Sequence, residues 1–134
     1  MTNHAHGTFD VKLEPQPPSE QALAASLGRM TIDKQFHGDL EAVSMGEMLA
    51  YRTAVDGSAG YVAMEKVTGS LQGRAGTFVL QHTGAMDRGT PRLTVSVVPD
   101  SGTEELAGLT GRMAIIISDG LHSYAFDYEL AATT

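Results

Sequence analysis

No cysteine occurs among the 134 residues, which excludes disulfides, thiol nucleophiles and zinc–thiolate sites. Clusters of Lys or Arg are missing too. With a net charge of −7 and a pI near 5.0, the chain has no electrostatic footprint for nucleic acid or an anionic membrane. No apolar run approaches the ~18 residues of a membrane span. The opening MTNHAHGTF lacks the basic segment and apolar core of a secretory signal, so a cytoplasmic protein is expected. Long helical periodicity is also missing, which leaves strands to build the core.

The 42% of hydrophobic residues suits a globular chain, and most of the 15 glycines stand between apolar runs, as the turns of an all-β fold do. The length allows one domain, residues 1–134, with a single core. Residues 1–6 are polar and read as frayed; His4 and His6 lack a third ligand for a metal. Residues 7–14 alternate as a half-buried strand. Pro15, Pro17 and Pro18 exclude a central strand, and Ser19 is placed to N-cap a short helical turn. Residues 29–43 read as one long strand, with Met30, Ile32, Lys34 and Phe36 on one side and a bend or bulge at Gly38. A turn at 44–47 and a strand at 48–55 follow. Asp56-Gly57 carries the signal of a type I′ hairpin. Strands at 92–98, 110–118 and 121–130 complete the chain, the last two joined by Asp119-Gly120. Ser101 and Glu104 have capping-box spacing, which predicts one more helical turn. The reading is all-β: eight antiparallel strands in a meander that closes into a barrel, with at most one or two short helical turns.

The organising stretch is residues 60–84, two apolar runs joined at 70–73. Pairing positions that sum to 143 sets Glu65 opposite Phe78 and Tyr61 opposite His82. One face then carries Tyr61, Ala63, Glu65, Val67, Phe78, Leu80 and His82. These are the bulkier residues, so that face is expected inside, with Glu65 flanked by Val67 and Phe78 and with Tyr61 and His82 nearer one mouth. In this register Glu65 and His82 lie about 13 Å apart at ~3.3 Å per residue, too far for a direct bond. A partner for Glu65 must come from the preceding strand or across the barrel. An even loop at Asp56-Gly57 supplies Arg52, an odd one Tyr51; the type I′ signal favours Arg52 and an ionised, paired Glu65. In the last hairpin, a two-residue loop makes partners sum to 239 and sets Arg112 opposite Asp127.

The segments GTFDVK at 7–12, FHGDLEAVS at 36–44, MEKVTGSLQGRAGTFVLQHTG at 64–84, VVPDSGTEELAGLTG at 97–111 and DGLHSYAFDY at 119–128 resemble a bacterial family, the domain-of-unknown-function 3224 family. The resemblance spans almost the whole chain. It implies a closed eight-stranded barrel similar to allene oxide cyclase, often oligomeric, and no established activity. Where the family often has Gly, this chain has Glu104. Where many members have Trp, it has Leu13-Glu14, which removes an aromatic that would line a cavity.

Two functional readings follow. In the first, the barrel binds a small apolar ligand, with cofactor-free isomerase or cyclase chemistry. Glu65 would then move a proton, and Tyr61, His82 or Arg52 would orient an oxygen, beside Phe78 or Tyr51. In the second, the barrel is filled by side chains and is a non-enzymatic oligomeric module. His37 and His122 read as rim hydrogen-bonders, and no core cluster has metal-ligand spacing; no cofactor or metal is expected. The apolar residues on both strand faces predict a homo-oligomer, a two-fold dimer in its simplest form.

Overall fold

The computed structural model describes residues 2–130. Its eight strands are β1 (Asn3–Gln16), β2 (Gly28–Gly38), β3 (Leu40–Arg52), β4 (Ala59–Leu71), β5 (Arg74–Asp87), β6 (Thr90–Val97), β7 (Thr110–Ser118) and β8 (Leu121–Glu129). They pair antiparallel in chain order and β1 returns to β8, closing a barrel. One five-residue helix, α1 (Glu20–Ala24), follows Ser19, whose Oγ accepts the Ala22 N–H at 3.2 Å. A 3-10 turn at Glu104–Leu106 lies between β6 and β7.

The strand count agrees with the sequence reading, but its partition differs. Gly38 adopts φ +107° and ends β2 at a tight reversal through Asp39, rather than bulging a continuous strand. β3 then runs straight through Ser44–Glu47, where a turn was expected. Tyr124 pins the reversal: its hydroxyl accepts the Leu40 N–H at 2.8 Å and donates to the His37 carbonyl at 2.9 Å. No local alternation reveals a bond from a residue 84 positions away. Residues 3–6 are not frayed. They pair with β8, Ala5 is buried, and His4 Nδ1 lies 2.6 Å from Asp127; Met1 lies outside the described residues.

Asp56-Gly57 sits in a longer loop rather than a two-residue turn, and Arg52 pairs with Ala59 across it. Gln72-Gly73, with φ +46° and +87°, makes the tight turn of the β4–β5 hairpin, so paired positions there sum to 145. Asp119-Gly120 makes the expected turn. Met113 faces Phe126, Ile115 faces Tyr124 and Arg112 faces Asp127, although the Asp127 carboxylate meets His4 Nδ1, at 2.6 Å. The expected capping box is absent: Ser101 Oγ accepts the Val79 N–H at 3.0 Å, and Glu104 stands at φ +54°.

The interior has two unlike halves. Toward the pole where β1 begins it is packed solid: Phe78 stacks on Phe126, Phe126 on Tyr128, and Phe36 meets Tyr124 edge-on. Leu106 and Leu109, both buried, plug that end. Toward the other pole the inward positions, among them Met30, Met48, Tyr61 and Ile115, are only half-buried.

Candidate functional site

At the boundary between the halves stand four buried polar side chains, Lys34, Ser44, Glu65 and His82. Each comes from strand alternation: Lys34 follows Ile32 on the inner face of β2, and Ser44 follows Ala42 on β3. Glu65 and His82 come from β4 and β5. Glu65 Oε2 accepts Lys34 Nζ at 2.9 Å and lies 2.6 Å from His82 Nε2, while Oε1 accepts the Ser44 hydroxyl at 2.9 Å. Lys34 Nζ also sits over the Phe9 ring, 4.9 Å from its centroid, an arrangement that favours a desolvated cation.

Burial pushes the Glu65 carboxyl upward, because the charged form loses water. The hydrogen bond from His82 and the charge and hydrogen bond of Lys34 outweigh that, and the pKa falls from 4.5 to about 2. Glu65 is therefore an anion at neutral pH and accepts hydrogen bonds only. The tautomer of His82 follows: Nε2 carries the proton facing Glu65, and in the neutral ring the lone pair is on Nδ1. Nδ1 has no hydrogen-bond partner among the described residues. Among the described residues no unpartnered side-chain nitrogen or oxygen is fully buried, so Nδ1 is not completely enclosed by protein atoms.

The direct Glu65–His82 bond corrects the separation expected from sequence. The two-residue shift in register sets Glu65 opposite Leu80 and Ala63 opposite His82. This brings the histidine to the adjacent inward position, and leaves every residue on its expected face. Val67, rather than Glu65, is the partner of Phe78. Arg52 shares the parity of Glu65 but is exposed. It lies six positions beyond Gly46, the residue opposite Glu65, or roughly 20 Å along the strand. Tyr51 is exposed on the outer face. The cation at Glu65 is Lys34 instead. Its signal in the sequence is a lysine in the inward series Ile32, Lys34, Phe36. Ser44 falls in the stretch 44–47 that reads as a turn, so alternation gives it no inward face.

Tyr61 lies one inward position above Ala63, and its ring covers Gly84. A Cβ at Gly84 would stand 2.2 Å from Tyr61 Cε1, so glycine is what lets the ring lie flat there. Burial raises the Tyr61 pKa, and the Glu65 charge raises it further; the phenol stays protonated at neutral pH. Among the described residues no group of three or more His, Asp or Glu is placed to hold a metal. No described helix is long and apolar enough to cross a membrane.

Fold and site together define a closed antiparallel barrel whose interior holds a Glu–Lys–His–Ser cluster bonded around the Glu65 carboxylate. The chain belongs to the family described as "Protein of unknown function (DUF3224)", which matches residues 5–128. It is similar to a protein of unknown function from that family in Shewanella oneidensis MR-1, whose crystal structure superposes with a TM-score of 0.92. The two are 51% identical over 99% of this chain and 100% of the other. No curated protein matches the chain.

Proposed function

We propose that this barrel binds a small, largely apolar molecule in its half-open pole and uses His82 to accept a proton or hydrogen bond from it. The observation that carries the reading is the pairing of a fixed tautomer with a free ring nitrogen. Glu65 holds Nε2, so Nδ1 is presented as an acceptor of defined direction. The carboxylate also stabilises the imidazolium that proton transfer would create, as a buried acid does for its histidine in hydrolase triads. Glu65 is thus the orienting group. An acid with a pKa of about 2 is a poor proton donor near neutral pH. Tyr61, protonated and one position higher, supplies a donor to a ligand oxygen. Such a site supports enolisation or isomerisation without a cofactor, in a cytoplasmic setting. The expected likeness to allene oxide cyclase concerns fold and does not name a reaction.

The test joins native mass spectrometry of protein purified from its own host to 15N NMR of the His82 ring. A retained small molecule, with a His82 Nδ1 resonance that shifts when it is removed, supports the reading. A ligand-free barrel whose His82 ring titrates independently of added small molecules would favour a purely structural cluster.

A second reading concerns assembly. Val43, Met45, Leu49, Tyr51, Val62 and Met64 are all exposed on the outer face of the paired strands β3 and β4. Leu49, Val62 and Met64 among them line a groove of about 860 Å³, together with Ser19, Arg29 and Glu47. The charges cross-strand from them are two cations, Arg29 opposite Leu49 and Lys66 opposite Met45, and two anions, Asp33 opposite Met45 and Glu47 opposite Met64, with Glu47 bonded to Arg29 at 2.7 Å. On a molecule of net charge −7 this face lets two copies approach without repulsion. We infer a two-fold dimer through it.

A further inference from the structure

The barrel is closed unevenly. Every neighbouring pair of strands forms a ladder except β6 and β7, which meet at one bridge, Ser96 opposite Arg112. Both strands continue toward the half-open pole, β6 held by β5 as far as Thr90 and β7 held by β8 as far as Ser118. Above the bridge their facing edges are unpaired. Inward side chains along the two edges record a widening gap. On β6, exposure rises from 2% at Val95 to 42% at Leu93; on β7 it rises from 4% at Met113 to 66% at Ile117. Extending the register of the bridge sets Val95 by Met113 and Leu93 by Ile115. Inward-facing apolar residues that are this exposed line an opening, because packing would otherwise bury them. The opening leads to the site: Val95 is the cross-strand partner of His82, and Leu93 of Gly84, which lies under the Tyr61 ring.

We propose that the split between β6 and β7 is a side entrance to the barrel. It admits an elongated amphipathic molecule, whose apolar body rests between Leu93 and Ile117 and whose hydroxyl or acidic C–H end reaches His82 Nδ1. This rests on the reading of His82 given above and adds to it the shape and class of the ligand. Unpaired strand edges alone would equally suit an added polypeptide strand. The apolar residues favour the small molecule, since they point inward toward a polar group with a free valence rather than outward toward a partner.

The absence of native cysteine makes the test clean. Thr94→Cys with Ala114→Cys places the only two thiols of the chain on facing edges, and oxidation draws the split shut. The probe is anilinonaphthalene sulfonate, an apolar anion, read by its fluorescence and by the 15N shift of His82. The expected result is a probe that perturbs His82 in the wild type, and an association rate that falls about tenfold on oxidation and recovers on reduction. Should the disulfide fail to form, Ile117→Asp serves instead, and it should weaken the probe while Val43→Asp on the outer face does not. A probe that perturbs His82 at the same rate in the closed and open forms overturns the entrance and leaves the His82 site standing. A probe that binds without touching His82, or no binding at all, overturns both. Loss of a dimer on closing the split would show that the edges pair with a second copy, which also overturns the entrance.

Discussion

Glu65 and His82 share a hydrogen bond of 2.6 Å although they are not cross-strand partners. Each sits diagonally from the other across the β4–β5 hairpin, one inward position out of register. That offset is within reach of long side chains on one face of an antiparallel pair. It makes His82 one of three donors to the Glu65 carboxylate, beside Lys34 and Ser44.

Breaking this cluster from one side should be costly. Glu65→Leu leaves the Lys34 ammonium buried without its anion, and should lower stability by about 3–5 kcal/mol in urea denaturation. Lys34→Met in the same chain removes the stranded cation. The double variant should therefore be more stable than the sum of the single losses, with the difference read as a double-mutant cycle. Additive losses would show that the pair is not coupled.

The stability should also follow pH in a defined window. The folded-state pKa of Glu65, about 2, lies below its ordinary 4.5. The group's contribution is complete above the unfolded value and is lost as pH falls through the folded one. The shift corresponds to about 3 kcal/mol. Denaturation midpoints measured between pH 7 and pH 2 should decline below about pH 4.5, less steeply in Glu65→Gln. A 13C titration of the Glu65 carboxyl checks the same point directly.

Tyr124 is expected to hold the β2–β3 reversal. Its hydroxyl bonds both Leu40 N–H and His37 carbonyl, so Tyr124→Phe leaves buried backbone groups without a partner. The cost should be about 1–3 kcal/mol. Amide exchange should quicken at Leu40 first, and unchanged exchange there would remove this role.

Gly84→Ala should drive the Tyr61 ring from its place, because the new methyl would overlap it. A loss of about 1–3 kcal/mol is expected, relieved when Tyr61→Ala is added. A loss that persists in the double variant would point to the backbone at Gly84 rather than to the ring.

For assembly, sedimentation at micromolar concentration should show a dimer that Met45→Lys or Val62→Asp dissociates, with the barrel's thermal unfolding little changed. A monomer in the wild type removes the proposed interface.

Alternation and turn chemistry were enough to settle much of this protein. Period-two patterns set Glu65, Val67, Phe78 and His82 on one inward face, and that parity survives any register shift by two. Asp119-Gly120 fixed the last hairpin to the residue, since two left-handed positions in succession suit a two-residue turn. Eight strands with short connections left a closed barrel as the economical way to hide their edges. Distances between strands were another matter. Whether the central turn takes Gln72-Gly73 or a neighbouring pair is a choice of two residues with no hydrophobic penalty, yet it decides whether His82 reaches Glu65. Gly38 reads equally as a bulge or a reversal until Tyr124, far along the chain, bonds across it. Lys34 was visible as a charge on an apolar face, but its partner depends on which strands become neighbours. The residues and their faces are thus local properties of the chain; the cluster itself exists only because closure brings β2, β3, β4 and β5 side by side around one carboxylate.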